Sequence, residues 1–104
     1  MVNGTRYNKS LVVLPDTILK DWVPSPLEAL TAHDLQPIME FRPEILLLGT
    51  GIVQRFPPRH ILQALAQARI GLEVMDNSAA CRTYNVLAGE DRRVAAALMI
   101  APPD

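Results

Sequence analysis

Two short stretches hold the residues whose types and spacing could do chemistry. The first is Gly49-Thr50-Gly51, which directly follows the apolar run Ile45-Leu46-Leu47-Leu48. The second is Asp76-Asn77-Ser78-Ala79-Ala80-Cys81-Arg82, with Asn85 one turn further on. A glycine-flanked turn after a buried strand, and a polar corner running into a helix, both present outward-pointing backbone N–H groups that suit an anion. No third glycine completes a dinucleotide fingerprint, and no lysine follows as in a Walker loop. The plain alternative is that the two glycines let the chain turn sharply and pack closely.

Cys81 falls in the first turn of the expected helix beside Arg82, where a thiol can acquire a lowered pKa and react. A cysteine nucleophile also needs a base, and only His33 and His60 exist, neither near it in the chain. Reactivity is therefore the unfavoured reading of Cys81, and an inert packing residue the favoured one. Neither histidine shows metal-ligand spacing to the other, to Cys81 or to a carboxylate cluster, so no metal is expected. Nothing points to a cofactor, and no catalytic residue is assigned. The ligand-binding candidates are Gly49, Thr50, Gly51, Asn77, Ser78, Arg82 and Asn85. Arg55 and Arg59 would contribute a basic rim, unless the arginines pair with Asp76, Glu40 or Glu44 as ordinary surface charges.

The elements that would position these residues follow from hydrophobic pattern. Leu11 to Leu14 is β-prone, Pro15-Asp16 ends the run, and Thr17 to Trp22 reads as a second short strand with Trp22 covering a core edge. Residues 5–13 suggest two short strands or a hairpin arm, with Asn8-Lys9 as the turn. Ser25-Pro26-Leu27-Glu28 can start one helical turn near 26–30, and Thr31-Ala32-His33-Asp34 caps a main helix at 32–40. Ile45–Leu48 lacks alternation, which implies burial on both faces as in a parallel sheet. A helix carrying Ile61, Leu62, Leu65 and Ala66 follows Pro58, then a strand at 71–75, a helix at 78–88 and a strand at 94–100. On the last helix Ala79, Ala80, Thr83, Tyr84, Leu87 and Ala88 should face the sheet, with Cys81, Arg82 and Asn85 opposite or at the border. Glu73 sits mid-strand and would need a partner if that strand were covered on both faces.

Strand–helix–strand–helix–strand in the second half indicates an α/β domain, with right-handed crossovers where strands are parallel. The 104 residues make a single domain spanning 1–104, long enough to bury a core without staples. Ten Lys+Arg against eleven Asp+Glu give a net charge of −1, so nucleic-acid binding is not expected. No apolar run reaches the roughly 18–20 residues of a spanning helix, so no membrane insertion is expected. Met1-Val2-Asn3-Gly4 lacks the basic and apolar regions of a signal peptide, and one cysteine suits a reducing compartment. A bacterial cytoplasmic location is the expectation.

Several stretches together resemble one family: Leu46-Leu47-Leu48-Gly49-Thr50-Gly51, Gly71-Leu72-Glu73-Val74-Met75-Asp76, Ala80-Cys81-Arg82-Thr83-Tyr84-Asn85 and Arg93-Val94-Ala95-Ala96-Ala97-Leu98. Tyr7, Ser10-Leu11-Val12-Val13, Pro15 and Trp22 extend the likeness over nearly the whole chain. The family consists of small α/β domains of unknown biochemical function and includes a mitochondrial assembly factor for respiratory complex I and an adipogenesis-associated protein. The resemblance implies a three-layer α/β fold, with a central mixed sheet of about five strands flanked by helices and an additional N-terminal β-hairpin layer. It implies no catalytic residues, and marks Thr50, Asn77 and Arg82 as family-typical positions. Asn77-Ser78 departs from the Asp/Asn-Thr form of that corner. The function it suggests is a non-enzymatic protein-interaction or complex-assembly module with a protein partner, as a monomer or weak dimer. The alternative is a small-molecule or anion binder, or an enzyme, using the Gly49–Gly51 and Asp76–Arg82 crevice.

Overall fold

Ile45–Gly49 (β3) is the strand about which the rest is arranged, as its unbroken apolar sequence requires. The computed structural model describes residues 10–19, 22, 30–51 and 54–99. β3 is flanked on both sides by parallel neighbours. Gly71–Met75 (β4) pairs with it as Ile45↔Gly71 to Gly49↔Met75, and Val94–Leu98 (β5) as Ile45↔Val94 to Gly49↔Leu98. Leu11–Leu14 (β1) lies antiparallel to β5, with Val12 opposite Ala97, and turns through Pro15-Asp16 into Thr17–Leu19 (β2). The result is one five-stranded mixed sheet in the order β2-β1-β5-β3-β4.

The expected hairpin is present, and it forms one edge of this sheet rather than a layer stacked upon it. Residues 5–9 and 100, and the helical turn near 26–30 apart from Leu30, lie outside the described residues.

Period-two alternation sends side chains to two separate cores. On one face Val12, Leu46, Leu48, Ala95 and Ala97 pack with Leu35, Ile38, Ile61 and Leu65. Those last four come from a 3-10 turn (Ala32–Leu35), the helix Gln36–Phe41 (α1) and the helix Arg59–Gln67 (α2). On the other face Leu11, Val13, Leu47, Val94, Ala96 and Leu98 pack with Ala80, Tyr84, Leu87 and Ala88 of the helix Asn77–Gly89 (α3). The chain steps outward from β3 to β4 through α2, then back across β3 to β5 through α3. Right-handed crossovers made in opposite directions place their helices on opposite faces, which accounts for the three layers.

The capping box at Thr31 forms as its sequence indicates. Thr31 Oγ1 accepts from Asp34 N (3.3 Å), and Asp34 Oδ2 accepts from Thr31 N (2.9 Å). The helix expected at 32–40 is split, however, into the 3-10 turn and α1. Pro37 has no N–H to donate and its ring would crowd the His33 carbonyl of a regular α-turn. Trp22 does cover a core edge: it packs against the first core cluster and its Nε1 donates to Asp34 O at 2.7 Å. β4 is an edge strand and Glu73 on it is exposed, so the burial that would have demanded a partner does not arise.

Candidate functional site

The parallel register carries the two glycine- and asparagine-bearing turns to the same end of the sheet. β3 and β4 are adjacent, and their following helices leave to opposite faces, the arrangement at which α/β sheets open a crevice. Here the polar groups lining that end are bonded to one another. Thr50 N donates to Met75 O (2.9 Å), so the ladder runs one residue past the end of β3. Gly51 and Asn77 form a reciprocal pair: Asn77 N donates to Gly51 O at 2.8 Å, and Gly51 N donates to Asn77 Oδ1 at 3.0 Å. Asn77 Nδ2 then donates to Met99 O at 3.1 Å, while Met99 N donates to Gly49 O at 2.8 Å. One carboxamide thus ties together the exits of β3 and β5 and the start of α3.

Each neighbouring candidate has a local reason for its position. Gly51 has φ 101, in the left-handed region that glycine enters without strain. Gly49 is buried beneath the Asn77 carboxamide, and a Cβ there would collide with Asn77 Oδ1 and come within 2.8 Å of Leu98 Cδ2. Thr50 Oγ1 accepts from Arg55 N at 2.8 Å, folding the following loop back on the turn. Asp76 is the N-cap of α3, with Oδ1 accepting from Ala79 N at 2.8 Å. Ser78 Oγ accepts from Arg82 Nη1 at 2.8 Å, one helical turn away, and both side chains are exposed.

The structure brings Gly49, Thr50, Gly51 and Asn77 into one cluster and sets Ser78 and Arg82 on its rim. Asn85 does not join them, because eight residues of helix carry it about 12 Å along the α3 axis from Asn77. Arg55 and Arg59 are exposed on the loop and first turn leading into α2. Cys81 takes the border position, one of its two expected places. It is partly buried against the cluster of Leu11, Val13 and Leu47, in the same stripe as Tyr84 and Ala88. Of the residues the wheel turns to the sheet, Ala80, Tyr84, Leu87 and Ala88 join this cluster. Gln54 and Met99, not foreseen, also belong to this end: Gln54 Nε2 donates to Val74 O at 2.8 Å on the outer edge of β4. A glutamine in a loop and a backbone carbonyl give no signal of residue type. Among the described residues no group of His, Cys, Asp and Glu could hold a metal ion.

The three-layer mixed sheet with this bonded corner defines a small α/β domain of known lineage. Residues 1–99 match the signature described as protein of unknown function (DUF498/DUF598), and the chain belongs to that family. It is 32% identical over 96 residues to the 13 kDa major membrane protein of Francisella tularensis subsp. holarctica, covering 90% of this chain and 77% of that protein. It is 37% identical over 106 residues to NADH dehydrogenase [ubiquinone] 1 alpha subcomplex assembly factor 3 of Bos taurus, covering 99% of this chain and 56% of that one. The chain thus spans little more than half the length of its assembly-factor relative. Among solved structures, a protein of Xanthomonas campestris aligns with a TM-score of 0.89 at 38% identity, covering 98% of this chain and 77% of that chain. No helix among the described residues is long and apolar enough to cross a membrane.

Proposed function

We propose that the chain is a non-enzymatic protein-interaction module that takes part in assembling a larger complex, acting in the cytoplasm. The observation that carries this reading is the filled corner. The groups an α/β domain would turn towards a substrate are engaged within the protein: Gly51 N–H with Asn77 Oδ1, Asn77 Nδ2 with Met99 O, and Asp76 Oδ1 with Ala79 N. A relative of Bos taurus named for complex assembly, matched over 99% of this chain, supports the same reading. The test is affinity capture from host lysate under mild conditions with the folded chain as bait. A partner retained in fixed proportion is the expected result, and recovery of none removes the main support.

A second reading has its own observation, the exposed Ser78–Arg82 pair at 2.8 Å beside the first turn of α3. On this reading the rim of Gly49, Thr50, Gly51, Asn77, Ser78 and Arg82 receives a small anion, with Asn85 too far along α3 to take part. Stabilisation against heat by phosphates or carboxylates, abolished in Arg82→Ala, supports it. No shift across a broad anion panel counts against it.

A further inference from the structure

The net charge of −1 conceals a strong asymmetry. Between Glu44 and Glu73, residues 45–72 contain no acidic side chain, while carrying Arg55, Arg59 and Arg69. This segment comprises β3, the following loop and the whole of α2. β3 is interior, so the charge falls on the loop and on the outer face of α2. Ile61 and Leu65 turn inward, and Arg59, Leu62, Gln63 and Ala66 are exposed at helical spacing, with Arg69 just beyond. Arg59 and Arg69 make no ion pair among the described residues. Two of the three exposed large apolar side chains among the described residues lie in the same segment, Phe56 at 73% and Leu62 at 39% exposure. Phe56 stands between Arg55 and Pro57-Pro58-Arg59, and proline restricts the backbone on which it is displayed.

We infer that the outer face of α2, with the Arg55–Arg59 loop, is a peripheral docking surface for an anionic lipid bilayer. Phe56 and Leu62 enter the headgroup–acyl boundary, and Arg55, Arg59 and Arg69 lie against lipid phosphates. Charge complementarity selects this occupant: cations interleaved with apolar side chains and no intervening carboxylate match a phosphate layer over hydrocarbon. Among the described residues, the acidic groups of neighbouring elements lie outside this segment. Leu72 and Val74 pack on the α2 side of the sheet, so the alternating Glu73 faces the α3 side. Asp34, in the same layer, is engaged by Thr31 N and Oγ1, and Glu40 is on α1. A nucleic-acid strand fits less well, since three arginines meet few phosphates and Leu62 offers no ring on which a base can stack. A lipid surface also agrees with a relative called a membrane protein in a fold whose described helices cannot span one. The inference stands apart from the assembly reading and does not depend on it.

The test sediments the full chain with vesicles of phosphatidylcholine, with and without phosphatidylglycerol, at low and high salt. Binding is expected only with phosphatidylglycerol, and salt should weaken it by screening. Arg59→Gln and Arg69→Asn should each reduce partition about fivefold, Phe56→Ser about tenfold, and Arg92→Gln not at all. Arg92 loses the same charge elsewhere, where Glu44 already answers it at 3.2 Å. Circular dichroism confirms that each variant is folded. Absence of binding overturns the inference, as does binding indifferent to Phe56 and Arg59, or weakened equally by Arg92→Gln. Capture of single-stranded oligo(dT) in preference to the vesicles overturns it in favour of nucleic acid.

Discussion

The Asn77 carboxamide joins Gly51 to Met99, with Oδ1 accepting from one backbone and Nδ2 donating to the other at 3.0 and 3.1 Å. It therefore links two parallel strands beyond Gly49 and Leu98, the last pair of their register. The position that sequence marks as a ligand contact is in the structure a fastening of the fold.

Asn77→Ala should destabilise the domain by about 2–3 kcal/mol, because it strands a partly buried N–H at Gly51 and a carbonyl at Met99. For a domain of this size that lowers the melting temperature by on the order of 10 °C, read by calorimetry. Asn77→Asp keeps the acceptor for Gly51 but turns an oxygen towards Met99 O, so it should not restore the wild-type value. A melting temperature unchanged in Asn77→Ala would show that the bridge contributes nothing.

Two glycines should respond oppositely to alanine. At Gly49 the added methyl meets Asn77 Oδ1, Leu98 Cδ2 and Ala80 Cβ, all held by packing or hydrogen bonds, and about 2–3 kcal/mol should be lost. At Gly89, in the last turn of α3, nothing lies within 4 Å of the new methyl. Helix propensity then dominates, and Gly89→Ala should gain about 0.5–1 kcal/mol. Urea denaturation of both variants checks the pair.

Such contrasts indicate what was legible in the amino-acid sequence. The unbroken run Ile45–Leu48 announced a strand buried on both faces, and β3 is central between two parallel strands. Thr31 with Asp34 announced a helix start because a cap is local chemistry. The partners of Asn77 were not legible, since they are backbone groups 26 and 22 residues away and carry no side-chain signature. The wheel left Cys81 either opposite the core stripe or at its border, and contact with the sheet places it at the border. The hairpin could be foreseen but not its place, since strand order within a sheet depends on distant pairing such as Val12 with Ala97.

Tyr84 supplies a pH dependence. Burial, and secondarily the charge of Asp16, push its phenol above the ordinary 10.0. The folded state therefore holds this proton more tightly than the unfolded state. Its contribution to stability is complete below pH 10 and declines as pH rises through the folded value. With Tyr7→Phe removing the only other tyrosine, phenolate absorbance should rise at a midpoint above 10.0. Asp16→Asn should lower that midpoint without abolishing the shift, because burial is the larger cause. A midpoint at or below 10.0 would contradict this arrangement.

Arg93 closes the opposite end of the domain. Its Nε donates to Phe41 O at 3.0 Å and Arg42 O at 3.1 Å, Nη2 also reaches Phe41 O, and the guanidinium lies 3.9 Å from the Phe41 ring centroid. These are carbonyls that α1 leaves without intrahelical donors where Arg42 turns left-handed at φ 55. Arg93→Lys preserves the charge but has one nitrogen and no plane, so it cannot serve both carbonyls while stacking on the ring. A loss of about 1 kcal/mol is expected. Faster amide exchange should appear first at Arg42, whose N–H bonds to Ile38 O and Met39 O and closes the helix. Equal stability of the lysine variant would mean that the charge alone, rather than the planar fork, holds α1 to the start of β5.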